Sequence, residues 1–305
     1  MDRFETLIQM LRRRVPGLEL REQEPMSRHT SFRIGGPVRL MALPRSEEEA
    51  AQAVRAAAEL ELPPFFMGNG SNLLVADQGA EVFVVKTFDG LNRLETDGAG
   101  GVTAGSGVLL SRLANFALAN SLTGLEFAHG IPGSLGGAVT MNAGAYDGEM
   151  KQVVVSTVCL TASGELEQVR GQAQDFSYRR STFSDGRRLI LGASLRLRPG
   201  DPTAIRARME ELSARRKEKQ PLEYPSAGST FKRPEGQFAA ALIDRCGLKG
   251  CAVGGAQVSE KHAGFVINRG GATCGDVLRL IEHIQQTVFR QTGVALEPEV
   301  KLLGR

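Results

Sequence analysis

Residues 124–150 read GLEFAHGIPGSLGGAVTMNAGAYDGEM, and we take this stretch as the feature around which the chain is organised. Seven of its residues are glycine, and almost no charge lies between His129 and Tyr146. Each glycine costs a helix about 1 kcal/mol relative to alanine, so an ordinary helix is not expected here. Glycine allows close backbone approach and positive φ, and the N–H groups left accessible suit a phosphate or a flat polar heterocycle. The stretch predicts a cofactor cradle; the alternative is a buried glycine-rich corner between elements.

The composition is that of an ordinary globular enzyme. A chain of 305 residues is long enough for two or three domains with a sizeable core. The formal net charge is +3, and no basic tail is present, so the sequence does not favour a nucleic-acid partner. One cationic cluster, at residues 215–219, is interpreted either as the solvated end of a helix or as a site for an anionic substrate.

The cysteines and the N-terminus indicate the compartment. Cys159, Cys246, Cys251 and Cys274 form neither a CxxC pair nor a zinc-binding pattern, which favours unpaired thiols in an intracellular enzyme without a metal. Residues 1–17 lack the apolar core of a signal peptide, and no uncharged apolar run is long enough to span a bilayer. We therefore expect a cytoplasmic protein with no membrane partner.

Hydrophobic periodicity predicts a chain of the α+β class. Helices are expected at residues 2–14, 50–60 (after a capping box at Ser46 and Glu49), 109–119, 203–219, 237–246 and from Gly275 or Asp276 to 292. Strands are expected at residues 65–67, 73–75, 82–85, 102–104, in a hairpin over 153–170, at 187–198, 262–268 and 296–302, and as two short strands within 29–44.

Composition breaks predict the domain organisation. The sequence Pro199-Gly200-Asp201-Pro202 is interpreted as a domain boundary. The predicted organisation is an N-terminal helix, two subdomains that together form the cofactor side, and a C-terminal α+β domain, at residues 1–20, 21–90, 91–199 and 200–305.

Two glycine-rich loops, at residues 68–72 and 130–137, flank predicted strands. Neither loop has the G-x-G-x-x-G spacing with a following acidic residue, which argues against a Rossmann dinucleotide site. A G-K-S or G-K-T sequence is also absent, which excludes a P-loop. Two separate glycine loops fit a long dinucleotide, and FAD is the natural candidate.

Five short motifs follow one another along the chain and cover it from about Thr30 to Val300. They are GNGSNL at 68–73, GIPGSLGGAVTMNAGAY at 130–146, YRRSTF at 178–183, SAGSTFK at 226–232 and LEPEV at 296–300. Each motif alone is weak, but their order and spacing together resemble the UDP-N-acetylenolpyruvoylglucosamine reductase (MurB) family of peptidoglycan synthesis, in its shorter second type. The resemblance implies an FAD-binding fold of the vanillyl-alcohol-oxidase (PCMH) type in the two subdomains and a substrate-binding C-terminal domain.

The resemblance also implies the reaction. Members of this family use NADPH, through bound FAD, to reduce the enolpyruvyl double bond of UDP-N-acetylglucosamine enolpyruvate to UDP-N-acetylmuramate. The alternative is an FAD-dependent oxidase or dehydrogenase of the same fold that acts on another small substrate. A non-catalytic nucleotide-binding module is the third possibility.

Three residues match the catalytic positions of the family. By this match Arg179 stabilises the negative charge that develops on the substrate carboxylate, Ser229 donates a proton, and Glu299 hydrogen-bonds the carboxylate region. The residues alone leave other interpretations open. Arg179 could be a surface arginine paired with an aspartate, Ser229 a turn or cap hydroxyl, and Glu299 a solvent-facing residue like Glu297, two positions earlier on the same face of a strand.

The resemblance further implies the binding residues. Cofactor contacts are expected from Gly68, Asn69, Gly70, Ser71, Asn72, Gly130, Ile131, Pro132, Gly133, Ser134, Gly137, Ala138, Asn142, Gly144 and Ala145. Substrate contacts are expected from Tyr178, Lys219, Lys232 and Arg233, with Lys217 as an alternative to Lys219. Arg233 stands where the family usually has asparagine, which predicts a more cationic pocket. A monomer is expected.

Overall fold

The computed structural model describes residues 2–88 and 90–304, and helices and strands are mixed along the chain, as predicted for the α+β class. The helices of this described part are α1 (Arg3–Arg14), α2 (Glu47–Glu59), α3 (Leu110–Ala119), α4 (Leu135–Thr140), α5 (Pro202–Lys219), α6 (Ala239–Arg245) and α7 (Cys274–Thr292). Its strands are β1 (Glu19–Pro25), β2 (Pro37–Leu43), β3 (Phe65–Met67), β4 (Leu73–Val75), β5 (Ala80–Lys86), β6 (Leu94–Thr96), β7 (Gly101–Gly105), β8 (Leu122–Thr123), β9 (Gly144–Ala145), β10 (Gly148–Glu149), β11 (Val154–Leu160), β12 (Leu166–Arg170), β13 (Leu189–Arg196), β14 (Arg198–Pro199), β15 (Ala252–Val253), β16 (Ala256–Val258), β17 (Val266–Asn268) and β18 (Lys301–Leu303).

Two larger sheets and several small ones result. One sheet has the order β1-β2-β5-β3, in which β3 and β5 run parallel. The five-stranded sheet β12-β11-β13-β7-β6 is antiparallel throughout. Near the C-terminus, β15-β16-β17 form an antiparallel sheet, and β18 pairs with β4 in parallel. In the part of the chain that the structure describes, no helix is long and apolar enough to cross a membrane.

The helix starts follow the capping residues of the sequence. The Ser46 hydroxyl accepts a hydrogen bond from the Glu49 N–H at 3.1 Å, which begins α2. The Glu49 carboxylate accepts from the N–H of Arg45 at 2.7 Å, not from that of Ser46, so only half of the expected capping box forms. Asp201 caps α5 by accepting from the N–H of Thr203 at 3.2 Å. Both predicted starts are confirmed.

The contacts divide the chain into two units. The first runs as far as residue 22 and includes Arg39–Asn69 and Val82–Ala214. It contains two hydrophobic clusters. In one cluster, apolar residues of α1 and α2 pack with Leu40 and Phe83; the other joins α3 and α4 to the five-stranded sheet.

The second unit comprises Gln23–Val38, Gly70–Glu81 and the residues from Arg215 onward. The first two of these segments lie within residues 21–90 of the sequence, and the last begins after Ala214. Long-range bonds explain the grouping. The Ser31 hydroxyl donates to the carbonyl of Ser226 at 2.6 Å, and the Asp77 carboxylate accepts from the N–H of Cys274 at 2.7 Å. Local sequence patterns do not contain this information.

Several elements differ from the prediction. The glycine-rich stretch does contain a helix, α4, although we did not expect one, and β1 was not predicted. The first of the two strands expected within residues 29–44 is replaced by a turn, in which the Arg33 N–H donates to the carbonyl of Thr30 at 3.1 Å and Arg33 has φ +56°.

The predicted strand at residues 296–302 is shorter than expected. Only Lys301–Leu303 form a strand, whereas Pro298 makes an isolated bridge with Phe231. Proline has no N–H to donate to a ladder, so regular pairing is interrupted at this position. The strand expected at residues 262–268 is likewise limited to Val266–Asn268.

Candidate functional site

The two predicted glycine loops meet in the first unit. The side-chain amide of Asn69 donates to the carbonyl of Pro132 at 2.7 Å. A Cβ added to Gly68 would lie 2.1 Å from Oγ of Ser134, closer than any real Cβ contact. A side chain at position 68 would therefore have to displace the Ser134 hydroxyl, which lies against the bare backbone of Gly68.

The remaining residues of the first motif belong to the second unit, because the division of the chain falls between Asn69 and Gly70. There the Gly70 carbonyl accepts from the N–H of Ser31 at 3.2 Å, and the Asn72 side-chain amide donates to the carbonyl of Glu299 at 3.1 Å. Ser71 is partly exposed in this segment.

Two buried hydroxyls lie where the second glycine loop packs on the strand-to-helix turn after β7. Ser134 occupies the N-cap position of α4, yet its side chain does not cap the helix. The Oγ atoms of Ser134 and Ser106 have no hydrogen-bond partner among the described residues, and the two residues are 1% and 0% exposed. A buried hydroxyl without a partner costs about 1–3 kcal/mol, so a bound polar molecule that pairs with it would recover that free energy.

Ser106 was missed at the level of sequence. The sequence Gly105-Ser106-Gly107 indicates only the start of α3, and nothing in the pattern reports that the hydroxyl is buried. The fold brings Ser106 to α4: its carbonyl accepts from the Gly136 N–H at 2.9 Å. A Cβ added to Gly136 would lie 2.9 Å from that of Ser106, so the glycine permits this contact.

The rest of the glycine loop surrounds this position. Gly137 is exposed on α4, and an added Cβ there would meet no atom within 4 Å, so the space in front of its backbone is open. The other residues predicted to contact the cofactor lie along the same loop, helix and hairpin: Gly130, Ile131, Pro132, Gly133, Ala138, Gly144 and Ala145.

Arg179 lies at the tip of a two-residue turn in the first unit. The N–H of Ser177 donates to the carbonyl of Arg180 at 3.0 Å, and the N–H of Arg180 donates back at 3.2 Å. Arg179 has φ +55°, which is rare for a residue other than glycine and is a form of strain that concentrates at functional sites. Its Nη1 donates to the carbonyl of Gly144 at 3.2 Å. The structure thus brings Arg179 to the glycine-rich stretch.

The aromatic neighbour of Arg179 is exposed. The guanidinium carbon of Arg179 lies 5.4 Å from the centroid of the Tyr178 ring, within the range of a cation–π contact. About half of the Tyr178 surface remains open, which is compatible with its predicted role in substrate binding.

Asn142 is held entirely by protein groups. Its Nδ2 donates to the Glu149 carboxylate at 2.8 Å and to the Ser177 carbonyl at 2.9 Å, and its Oδ1 accepts from the Lys151 N–H at 2.9 Å. Both side-chain hydrogens are used in this way. The side chain therefore has none left to donate to a cofactor, although we predicted Asn142 as a cofactor residue.

The second unit brings Ser229 and Glu299 together. The N–H of Glu299 donates to the carbonyl of Thr230 at 2.8 Å, and Thr230 in turn donates from its own N–H to Gly264 at 2.8 Å. Ser229 is exposed and follows Gly228, whose φ of +78° makes the turn that presents the serine. Glu299 is partly buried.

The predicted cations of the second unit differ in their surroundings. Lys232 forms an ion pair with the exposed Glu297, which distinguishes Glu297 from the less exposed Glu299. The guanidinium carbon of Arg233 lies 4.5 Å from the centroid of the exposed Phe238 ring. Lys217 and Lys219 are exposed near the C-terminal end of α5.

Two of the cysteines, Cys159 and Cys274, are buried. Burial raises the pKa of both Cys159 and Cys274 to about 11, which keeps these thiols protonated. No group of three or more His, Cys, Asp or Glu residues that could hold a metal ion occurs in residues 2–88 and 90–304.

Residues 38–170 match the family model of an FAD binding domain, and residues 220–303 match that of the C-terminal domain of UDP-N-acetylenolpyruvoylglucosamine reductase. With these matches, the fold and the glycine loops are those of a flavin-dependent oxidoreductase. The partnerless hydroxyls of Ser106 and Ser134 and the close approach at Gly68 fit such a cofactor.

Relatives extend the match over the whole chain. The UDP-N-acetylenolpyruvoylglucosamine reductase of Agathobacter rectalis is 48% identical over 98% of this chain and 99% of its own length, and that of Clostridium novyi is 49% identical over 94% and 92%. The solved structure of the reductase from Thermus caldophilus has a TM-score of 0.82 at 33% identity and covers 94% of this chain and 100% of its own. The chain belongs to the UDP-N-acetylenolpyruvoylglucosamine reductase family, and the predicted FAD-binding fold with its C-terminal domain is confirmed.

Proposed function

We propose that the protein reduces the enolpyruvyl double bond of UDP-N-acetylenolpyruvoylglucosamine to UDP-N-acetylmuramate, with NADPH as reductant and FAD as cofactor, in peptidoglycan precursor synthesis. The observation that carries the proposal is the turn that holds Arg179 against Gly144 of the FAD-binding domain. From membership of this family we further propose a monomer that works in the cytoplasm. Light scattering after size exclusion tests the monomer separately from the activity.

The first unit supplies the groups that would hold FAD. Gly68, Asn69 and the loop at residues 130–137 offer backbone at close range, and the hydroxyls of Ser106 and Ser134 offer hydrogen bonds. When bound, FAD provides a two-electron carrier that takes a hydride equivalent from NADPH and passes one to the substrate. The protein contributes binding and orientation to this chemistry.

Arg179 stabilises the charge that the reaction creates. Adding hydride to the terminal alkene carbon pushes electron density toward the substrate carboxylate. Guanidinium is always protonated, and its planar fork matches a carboxylate with two parallel hydrogen bonds. A cation already fixed where charge develops needs little reorganisation during the reaction, and such electrostatic stabilisation is the largest contribution in many enzymes.

Ser229 and Glu299 complete the proposed chemistry. The carbon next to the carboxylate must gain a proton after hydride arrives, and a serine hydroxyl can donate one only to a strongly basic acceptor such as this carbanion. Ser229 is exposed on its turn and therefore available to substrate. Glu299 is joined to this segment by the bond from its N–H to the Thr230 carbonyl. Its carboxyl group hydrogen-bonds the carboxylate region of the substrate when it is protonated or when a water molecule bridges the two.

The cations of the second unit bind the diphosphate of the substrate. Lys232 and Arg233 are cationic side chains within residues 220–303, which match the reductase C-terminal domain, and Lys219 directly precedes that range. Lys232 pairs with Glu297, and the guanidinium fork of Arg233 can bind phosphate in a bidentate manner. Tyr178 contributes an exposed ring in the first unit.

A product assay tests the proposed function. The purified FAD-loaded protein is incubated with NADPH and UDP-N-acetylenolpyruvoylglucosamine, and the products are analysed by mass spectrometry. We expect stoichiometric NADPH oxidation and a product heavier by two hydrogens. UDP-N-acetylglucosamine, which lacks the enolpyruvyl group, is the matched control and should give neither. Equal NADPH oxidation with both compounds would refute the assignment.

A further inference from the structure

The residues around Arg179 form hydrogen bonds with one short segment of the glycine-rich stretch. The backbone of its turn is fixed through Ser177, whose carbonyl accepts from the Asn142 side chain at 2.9 Å. Its guanidinium is fixed through Gly144, two residues after Asn142, at 3.2 Å. The base of the turn and the charged end of the side chain therefore depend on the same three residues, 142–144.

The residues that follow the turn form hydrogen bonds with the same stretch. The hydroxyls of Ser181 and Ser184 both donate to the carbonyl of Thr140, at 2.9 and 2.8 Å. With the bond from Asn142, three hydrogen bonds therefore link the segments on both sides of Arg179 to residues 140–144. A turn with a left-handed residue at its tip needs such support to persist.

Asn142 is suited to this position by its own conformation. It has φ +42°, in the left-handed region that asparagine tolerates better than most residues. It is 1% exposed, and its amide joins Ser177, Glu149 and Lys151 in one network. The Glu149 carboxylate also pairs with the Lys151 ammonium at 3.0 Å.

We propose that Asn142 is a positioning residue that holds Arg179 in its catalytic place by fixing the Ser177 carbonyl. The inference rests on the proposed function, because it gives Arg179 the role described above. Both side-chain hydrogens of Asn142 are donated within the protein, to Glu149 and Ser177, so its amide has no donor left for cofactor or substrate. The turn carries Arg179, and Asn142 determines where the turn lies.

Asn142→Gly is the main test, because glycine keeps the positive φ while the side chain and its three hydrogen bonds are removed. Asn120→Gly is the matched control: Asn120 also donates to a backbone carbonyl, that of Phe116 at 2.8 Å, but at the end of α3. In the holoenzyme, we expect Asn142→Gly to slow flavin reoxidation by the enolpyruvyl substrate about 100-fold, as a misplaced catalytic group does. Flavin reduction by NADPH should stay within about twofold of the wild type.

A double mutant separates positioning from general damage. If Asn142 acts through Arg179, then Asn142→Gly should slow an Arg179→Ala enzyme no further, because the group it positions is already gone. An equal slowing in both backgrounds would overturn the inference. So would loss of FAD affinity with an equal slowing of both half-reactions, since Asn142 would then act on the cofactor. If the wild type shows no substrate-dependent reoxidation at all, the proposed function fails instead.

Hydrogen exchange gives a readout that does not need activity. In Asn142→Gly, amide exchange of the peptide covering residues 177–184 should rise, whereas Asn120→Gly should leave it unchanged. Unchanged exchange in Asn142→Gly would overturn the inference. Should Asn142→Gly fail to fold, Asn142→Asp in a Glu149→Gln background serves in its place, because the glutamine avoids a pair of carboxylates and aspartate, of the same size and tolerant of the left-handed region, cannot donate to Ser177 when ionised.

Discussion

A Cβ added to Gly68 would lie 2.1 Å from Oγ of Ser134, whereas real contacts of this kind do not fall below 3.0 Å. The two glycine loops of the FAD-binding domain therefore meet where position 68 has no side chain, and a methyl group there would have to displace the Ser134 hydroxyl. This contact joins the first motif of the sequence to the second, and it fixes one wall of the proposed cofactor site.

Gly68→Ala should separate the loops. We expect the free energy of unfolding of the apoprotein to fall by about 1–3 kcal/mol, as for other overpacked sites, and FAD affinity to fall with it. Chemical denaturation and flavin fluorescence titration measure the two effects. Gly17→Ala is the control, because its added Cβ would have a nearest neighbour at 3.7 Å. Wild-type FAD affinity in Gly68→Ala would contradict the geometry.

Gly137→Ala should lower FAD affinity without lowering the stability of the apoprotein, unlike Gly68→Ala. Its Cβ meets no protein atom within 4 Å, and alanine favours the helix α4 by up to about 1 kcal/mol, so the apoprotein should be as stable as the wild type or more so. FAD affinity should nevertheless fall, because the new methyl group occupies the space that the cofactor needs. A stable variant with unchanged FAD affinity would show that the cofactor does not approach Gly137.

Ser106→Ala tests the buried hydroxyl that the sequence did not reveal. Removing a polar group without a partner should leave the apoprotein equally stable or more stable, while the loss of one hydrogen bond should weaken FAD binding about fivefold, or roughly 1 kcal/mol. Ser181→Ala is the contrast, because its hydroxyl already donates to Thr140 at 2.9 Å, so this change should lower stability. A large loss of apoprotein stability in Ser106→Ala would contradict the assignment.

The network around Asn142 should respond to acid. Burial raises the pKa of the Glu149 carboxyl, but the hydrogen bonds from Lys151 and Asn142 and the positive charges of Lys151 and Arg179 together lower it below that of a free glutamate. A pKa lowered by folding stabilises the protein above the unfolded-state value, near 4.3, and this contribution disappears as the pH falls through the folded-state value. The free energy of unfolding should therefore drop less between pH 6 and pH 3 in Glu149→Gln than in the wild type. If the free energy of unfolding fell equally with pH in the wild type and in Glu149→Gln, the Glu149 carboxylate would not contribute to the acid response.

The sequence predicted elements whose signals are local. Ser46 and Asp201 begin helices because one side chain caps one backbone N–H within three residues, and such patterns are visible without the fold. The hairpin of β11 and β12 follows in the same way from alternation and a turn at Gly164.

What could not be predicted depends on distant partners. The pairing of β18 with β4 joins residues more than 220 positions apart, so local sequence patterns could not predict it. The helix α4 forms despite Gly136 because that glycine packs on Ser106, where a larger side chain would not fit. The role we propose for Asn142 could not be predicted for the same reason: its side chain bonds Glu149 and Ser177, which come together only when the chain folds.

Anaerobic mixing of the holoenzyme tests the central claim most directly. NADPH should bleach the flavin absorbance, and UDP-N-acetylenolpyruvoylglucosamine should then restore it in the absence of oxygen. In Ser229→Ala, NADPH should still reduce the flavin at the wild-type rate, but the enolpyruvyl substrate should no longer restore the flavin absorbance. If the absorbance of the wild type returned only when oxygen was admitted, the protein would be an oxidase and not the proposed reductase.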